Sequence, residues 1–204
     1  FVSGPIQKDK TSVAASIRTT YSDWLINTIR TNYIDLTNSS VSFYDGALKL
    51  AHKFSDRTKL TVSGYASNDW FRLEGDTTYQ WRNLLGSIRL DHAFSPRLSS
   101  RFTIGTGSYA YQVSDRDPRT GFNLYYKITY PTAKADFNYQ SGKHHVSLGV
   151  QSTYYHFNPG TLEPTTDQSN VAPYQMEIQK SVESALYVAD GISIGEKYYI
   201  EGGL

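Results

Sequence analysis

The sequence predicts an all-β chain, an antiparallel up-and-down transmembrane β-barrel of which about ten strands are covered. Three observations predict it. Polar and apolar residues alternate over runs of ten or more residues, short and long polar connections alternate between those runs, and aromatic residues gather towards both ends of them. Successive side chains of a strand point to opposite faces, so each run is a ribbon with one apolar and one polar side.

The clearest ribbons are two copies of one pattern, residues 46–57 and 86–97, forty positions apart. Gly, a branched aliphatic, a base, Leu, His, Phe, Ser and Arg recur in both at the same spacing. In the first copy Leu48, Leu50 and Phe54 fall on one face, against Ala47, Lys49, Ala51 and Lys53. In the second, Leu84, Ile88, Leu90 and Phe94 oppose Ser87, Arg89 and Asp91. Each copy leaves through a tight polar turn into a returning run. Strand, short turn, strand and longer loop therefore make one forty-residue period.

Taken in order, residues 1–6 read as a strand closed by a polar turn over 7–10, and residues 11–20 alternate with Val13, Ala15 and Ile17 on one side. A long connection follows over 21–40, in which Trp24, Leu25, Ile26 and Ile29 have the spacing of a short amphipathic helix with Asp23 in its first turn. After the first copy of the pattern, a strand from Leu60 sets Leu60, Val62, Gly64 and Ala66 against Thr61, Ser63, Tyr65 and Ser67, and residues 71–80 read as a polar loop. The second copy is followed by a strand through Val113 and a loop over 114–121. Residues 122–130 then alternate in one phase, and Ala133, Ala135, Phe137 and Tyr139 in the other. Pro131, at the change of phase, suggests a bulge, because a proline within a strand is confined to bulges and edges. A turn at 141–144, a strand with Val146, Leu148 and Val150 on one side, and a long loop over 157–175 lead to a last strand pair, 182–190 and 198–204, joined near Gly195.

The short connections thus stand at Gln7, Ser55, Ser95, Ser141 and Gly195, and the long ones after Tyr21, Trp70, Ser114 and Phe157. Membrane barrels show this asymmetry between their two ends. Phe54, Phe94, Phe102 and Tyr139 lie near short turns. Trp70, Phe71, Tyr79, Trp81, Tyr154, Tyr155 and Phe157 lie near long loops. The two groups fit girdles bounding an apolar band roughly 25 Å tall.

A soluble sandwich also alternates. Long strands, aromatics at both ends and charges such as Lys49, Arg89, Asp91, Lys134 and Asp136 opposite the apolar set tip the reading towards a membrane. The discriminating expectation is that Leu48, Leu50, Ile88 and Leu90 do not line a dry core between two layers.

Net charge is +1, with 20 bases and 19 acids, which provides no field for a nucleic-acid partner. Seventeen Tyr stand against one Met and no Cys, so disulfides, thiolate metal sites and cysteine nucleophiles are excluded. There is no apolar run of the ~18 residues that a membrane helix needs. A sequence starting at Phe1 without a leader implies that any export signal has been removed or lies outside it. Bare sheet edges are untenable in lipid, so about ten strands read as a piece of a larger barrel.

Several stretches resemble the barrel domain of TonB-dependent outer-membrane receptors of the Bacteroidetes type: Gly4-Pro5-Ile6-Gln7-Lys8-Asp9-Lys10-Thr11-Ser12, Arg18-Thr19-Thr20-Tyr21, Lys59-Leu60-Thr61-Val62-Ser63-Gly64-Tyr65, Lys134-Ala135-Asp136-Phe137, Tyr154-Tyr155-His156-Phe157-Asn158-Pro159-Gly160 and Ala185-Leu186-Tyr187-Val188. The resemblance implies that residues 1–204 are a segment of a 22-stranded barrel. By the same resemblance the barrel is filled by a plug domain outside this chain and sits in the outer membrane of a Gram-negative bacterium, among its lipid. It imports a scarce ligand of the siderophore, vitamin, glycan or peptide class, driven through TonB. A surface lipoprotein is a further partner it admits. The alternatives are a complete small outer-membrane barrel acting as adhesin or scaffold, and an outer-membrane hydrolase.

No Gly-x-Ser-x-Gly elbow, His-Glu-x-x-His or phosphate-cradling glycine loop occurs, and no cofactor or metal is expected. His52 and His92, at matched places before a turn, read as structural or interfacial residues. His144 and His145, being adjacent on a strand, cannot chelate jointly. Asp115 and Asp117 with Glu74 and Asp76 have the chemistry of a Ca²⁺ site, but solvated loop charge is the simpler account. The hydrolase alternative needs Asp69 beside a loop His. For ligand contact the polar-faced residues near the long loops are the candidates: Asp69, Trp81, Asn83, Tyr109 and Tyr111. Aromatics with a polar tip grip amphipathic or sugar-like ligands, yet serve equally in a girdle, and the girdle reading carries more weight. Lys49, Arg89, Asp91 and Arg101 are expected to meet the plug or water.

Overall fold

A computed structural model describes residues 1–20, 28, 39–72, 77–195 and 197–204. The helix expected around Trp24, Leu25, Ile26 and Ile29, and the acids Glu74 and Asp76, lie outside the described residues. The described residues form eleven strands: β1 (Val2–Gln7), β2 (Thr11–Thr19), β3 (Ser40–Ser55), β4 (Thr58–Arg72), β5 (Thr78–Ala93), β6 (Leu98–Ser114), β7 (Phe122–Ser141), β8 (His144–Pro164), β9 (Tyr174–Gln175), β10 (Gln179–Ile194) and β11 (Tyr198–Gly203). They form one antiparallel sheet in the order β1-β2-β3-β4-β5-β6-β7-β8-β10-β11, with the two-residue β9 pairing β8 beside that path. Apart from β9, sequence neighbours are spatial neighbours, as an up-and-down meander requires.

The described residues form no second layer. Among the described residues no apolar side chain is fully buried, and Leu48 and Ile88 are 56% and 54% exposed. Exposure alternates along β4: Val62, Gly64 and Ala66 are open, whereas Thr61, Ser63 and Tyr65 are shielded. A lone sheet shields one face only by curling over it, so the Thr61 face is concave and the Val62 face convex. The pairings carry this assignment across the sheet. One convex row runs Val13–Leu50–Val62–Ile88–Ile104–Ala133, and a concave row three positions above it runs Ser16–Ala47–Tyr65–Leu85–Gly107–Tyr130.

The strands are longer than the sequence suggests. β4 continues to Arg72 and β5 begins at Thr78, through the pairs Trp70↔Gln80 and Phe71↔Tyr79, inside the stretch expected to be loop. β-branched and aromatic residues there keep the ladder going where polarity suggests a loop. β8 likewise runs on to Pro164 inside the stretch expected to be loop.

The bulge expected at Pro131 is absent. Pro131 faces Thr106 in unbroken register, and the β7–β8 register passes unchanged from Thr129↔His156 to Thr132↔Thr153. The shift lies instead between Tyr125 and Lys127, where the partners step from Thr161 to Asn158, so the extra residue is on β8. Asn158-Pro159-Gly160 occupies it, with Asn158 Oδ1 accepting from the Gly160 amide at 3.1 Å and Asn158 Nδ2 donating to Thr161 Oγ1 at 2.8 Å. The rule that confines proline to bulges holds for Pro159. The change of phase at Pro131 has another cause: the apolar residues of β7 pass from the concave to the convex side of a continuous strand.

That exchange of sides divides the whole sheet. Towards the short turns the convex face carries Leu48, Leu50, Leu60, Val62, Ile88, Leu90, Phe102, Ile104, Leu148 and Val150, while the concave face carries charge. There Asp91 pairs Arg89 at 3.0 Å and Arg101 at 2.7 Å, Lys134 pairs Asp136 at 3.1 Å, and the Tyr187 hydroxyl donates to Asp136. From Leu84 to Phe94 is about ten residue steps, and at ~3.3 Å per step and a tilt of about 40–45° this spans roughly 25 Å, the thickness of the apolar band of a membrane barrel. The twin histidines cap it on the convex side. His52 Nδ1 lies 2.7 Å from Thr11 Oγ1 and His92 Nδ1 2.9 Å from Thr58 Oγ1, and each ring meets Phe54 or Phe94 edge-on at 4.6 Å.

Candidate ligand-binding site

Towards the long loops the polarity reverses. On the convex face stand Asn68, Gln80, Arg82 and Gln112. Asn68 Oδ1 accepts from Gln80 Nε2 at 2.7 Å and from Arg82 Nε at 3.1 Å, and Arg82 Nη2 donates to Gln80 Oε1 at 2.9 Å. The concave face there is aromatic and aliphatic, with Phe43, Phe71, Tyr79, Trp81, Tyr109, Tyr111, Val113, Leu124, Tyr126 and Ile128.

All five candidate residues lie on this concave face, and the register brings them together. Asp69 faces Trp81, Trp81 faces Tyr111, and Asn83 faces Tyr109. Trp81 and Tyr111 stack at 5.6 Å with 29° between planes, and the stack continues into Tyr126 at 5.9 Å and 20°. Three rings on β5, β6 and β7 thus form one ladder, which cross-strand neighbours about 4.5–5.5 Å apart at Cβ permit. Asn83 Nδ2 donates to Ser67 Oγ at 3.0 Å, fixing the amide beside the ladder. Phe71 and Tyr79 add a tilted pair at 6.4 Å, one row nearer the loops.

Of the aromatics expected in the girdle near the long loops, Trp70 and Tyr154 are convex. Phe71, Tyr79, Trp81, Tyr155 and Phe157 are concave. Nearness to a strand end does not fix a face; the register does. Tyr126 was missed as a site residue. Its signal was its place in the alternating run 122–130, but only the pairing Tyr111↔Tyr126 shows that it prolongs the ladder.

Just below the ladder the concave wall dips. Gly105 and Gly107 leave a cavity of about 310 Å³ between Tyr65, Leu85 and Tyr130. The Tyr130 ring lies over Gly107, where a Cβ would strike it.

Above the ladder, loop 115–121 is tied to 165–173. Thr165 Oγ1 donates to the Asp115 carbonyl at 3.1 Å, Thr166 Oγ1 to that of Pro118 at 2.9 Å and Ser169 Oγ to that of Gly121 at 2.8 Å. Asp117 Oδ1 accepts from the amides of Arg119 and Thr120 at 2.8 and 2.9 Å, which holds its carboxyl below the ordinary carboxylate range. Asp115 accepts from Thr77 Oγ1 at 2.6 Å and from the Asp117 amide at 2.9 Å. These acids are engaged in ordering their own loop, and no group of three or more acids or histidines with metal-ligand geometry occurs among the described residues. The pairing of Asp69 with a loop histidine is not formed: His52, His92, His144 and His145 lie at the short-turn end and His156 is convex.

No family model matches the sequence, and no curated protein matches it. Solved structures do. The copper transporter OprC matches with a TM-score of 0.69 at 10% identity over 95% of this chain and 32% of its own. BauA, the ferric preacinetobactin receptor of Acinetobacter baumannii, matches at 0.67 and 14% over 97% and 36%, and FpvA of P. aeruginosa, solved with heterologous pyoverdines, at 0.69 and 9% over 98% and 34%. The chain spans about a third of the length of the solved proteins it matches. These neighbours are outer-membrane transporters and receptors of the TonB-dependent kind, and at such identities the likeness shows the fold alone: an antiparallel sheet that matches a part of their barrels. It does not single out the Bacteroidetes type.

Proposed function

We propose that residues 1–204 belong to the barrel of a TonB-dependent outer-membrane importer, and that the concave ladder at the long-loop end contacts the ligand. The observation that carries the reading is the exchange of faces. An apolar convex band of bilayer height suits lipid, and a charged concave wall beside it suits a water-filled or plugged interior. Above that band, aromatic rings turned inward are of use only to something that enters from the loop side. Trp81, Tyr111 and Tyr126 present flat apolar faces, with Asp69 and Asn83 as polar anchors and Tyr109 beside them. Such a surface suits an amphipathic ligand with planar or sugar-like faces, drawn from the siderophore, vitamin, glycan or peptide classes.

On this reading a plug domain outside these residues meets Arg89, Asp91 and Arg101. TonB acts through a segment outside this chain, and a surface lipoprotein is an additional partner for the loops. The protein is a transporter and not an enzyme. The test is uptake in a strain lacking the gene and complemented with the full-length chain. Labelled ferric siderophores, cobalamin, oligosaccharides and peptides serve as probes. Gene-dependent accumulation of one probe, abolished by a protonophore and lowered at least severalfold by Trp81→Ala with Tyr111→Ala, is expected. Accumulation of every probe independent of the gene, or indifferent to the protonophore, overturns import.

A further inference from the structure

We infer that the convex face carries a binding site for the phosphate of an anionic lipid in the leaflet nearest the long loops; this rests on the membrane placement proposed above. Immediately above Leu84 and one row beyond the apolar band lies a convex depression of about 450 Å³. Its floor is made of small residues, Ala66, Ser108 and Ala110, and its walls include Arg82 on β5 and Lys127 on β7. Both face Ala110 across neighbouring ladders, so their backbones stand about 10 Å apart, two strand spacings of ~4.8 Å. Two long basic side chains over a floor of alanine and serine leave room for an anionic group between them.

At this level the bases stand mainly on the convex face and the acids mainly on the concave face, where Arg18 pairs with Asp45 at 2.7 Å. The convex strand positions from the Leu84 row upward hold Arg72, Arg82, Lys127 and Lys180, with one acid, Glu163, in the outermost row. The acids Asp45, Asp69 and Glu183 are concave. Arg82 is bonded only to amide oxygens among the described residues, which orient the guanidinium without neutralising it. Tyr44, edge-on to Trp70 at 5.9 Å, and Tyr125 flank the depression, so amphipathic rings mark this height as the boundary between hydrocarbon and headgroups. A cation-rich rim on the lipid-facing side, at headgroup height and without acids in its row, complements a phosphorylated headgroup whose acyl chains lie along Leu84 and Ile88 below.

The test uses the full-length chain extracted in mild detergent and exchanged with bis-phosphorylated lipid A, its dephosphorylated form or phosphatidylcholine, with retained lipid counted by native mass spectrometry. Wild type is expected to retain the phosphorylated lipid. Arg82→Glu with Lys127→Glu is expected to lower retention about tenfold or more, on the basis of roughly one charge-sized contribution per base near an anionic surface. Arg82→Gln with Lys127→Gln should fall between, and Lys143→Glu, in a turn at the opposite end, should equal wild type. Heat-modifiable electrophoretic mobility checks that each variant is folded. Equal retention by folded wild type and double-Glu variant, or equal retention of the dephosphorylated lipid, overturns this inference and leaves the import reading standing. A full-length chain that stays soluble without detergent overturns both.

Discussion

The two ends of the same strands differ more than any two strands do. Between Leu84 and His92, β5 turns its large apolar side chains other than Leu85 to the convex face and its charges to the concave face; between Tyr79 and Asn83 it does the reverse, with Gln80 and Arg82 convex and Trp81 concave. No backbone irregularity separates the halves, because the β5 register with both neighbours is continuous from Thr78 to His92. What changes is the surroundings each face is built for. The lower half suits oil outside and water inside. The upper half suits water outside and an apolar ligand inside. Pleated backbone accepts either, since side-chain chemistry alone decides which face is wetted.

The largest expected effect breaks the lower half. Ile88→Arg places a charge near the middle of the convex band and should cost about 2–4 kcal/mol in equilibrium unfolding from vesicles, whereas Ser87→Arg, one residue away on the concave side, should cost about 0.5 kcal/mol or less. Equal costs would erase the difference between faces.

Next comes the ladder of the upper half. Tyr111 stacks on both Trp81 and Tyr126, so Tyr111→Ala removes two ring pairs worth about 0.5–1.5 kcal/mol each. The Trp81 emission spectrum should shift to the red and ligand uptake should fall. An unchanged spectrum would mean that the rings do not stack.

A smaller, local effect is expected at Gly121. A Cβ there would run into backbone carbonyls of Asp115 and Asp117 as well as the Thr165 hydroxyl, so Gly121→Ala must part loop 115–121 from 165–173. The cost is about 1 kcal/mol, at the low end for overpacking because the loops are exposed. Faster tryptic cleavage at Arg116 and Arg119, with the barrel intact, is the readout.

The smallest effect is a pH dependence. The Asp117 carboxyl is lowered in the folded loop by the Arg119 and Thr120 amides. Its contribution to loop order is therefore complete above the ordinary carboxylate range and is lost as pH falls through the lowered folded value. Hydrogen exchange at Arg119 and Thr120 should accelerate relative to the strands on acidification, and Asp117→Asn should remove that dependence.

Much of this was legible in the sequence. The short turns, the strand order and the convex set Leu48, Leu50, Ile88 and Leu90 follow from period-two alternation and turn chemistry, and the five candidate site residues share one face because parity alone puts them there. Three things were not. The bulge was placed at Pro131 because a phase change in one strand looks the same whether the chain slips or the environment changes sides, and only the partner's register separates the two. Phe71, Tyr79 and Trp81 were read as girdle because height along a strand can be counted from the sequence before the meaning of each face at that height is known. Tyr126 became a site residue only through its neighbour on β6, a relation between strands that no single run of residues displays.

The central claim is that the lipid-facing side is the even-numbered side of β5 and that contact with acyl chains stops above Leu84, at the height of the headgroups. The sequence has no Cys, so single cysteines can be placed at each position from 79 to 92 of the full-length chain, labelled with bimane and reconstituted in vesicles with brominated acyl chains. Quenching is predicted at 84, 88 and 90, with none at 81, 83, 85, 87 and 89 and none at 80 and 82. Quenching on the odd positions, or quenching that continues through 82 and 80, contradicts the account.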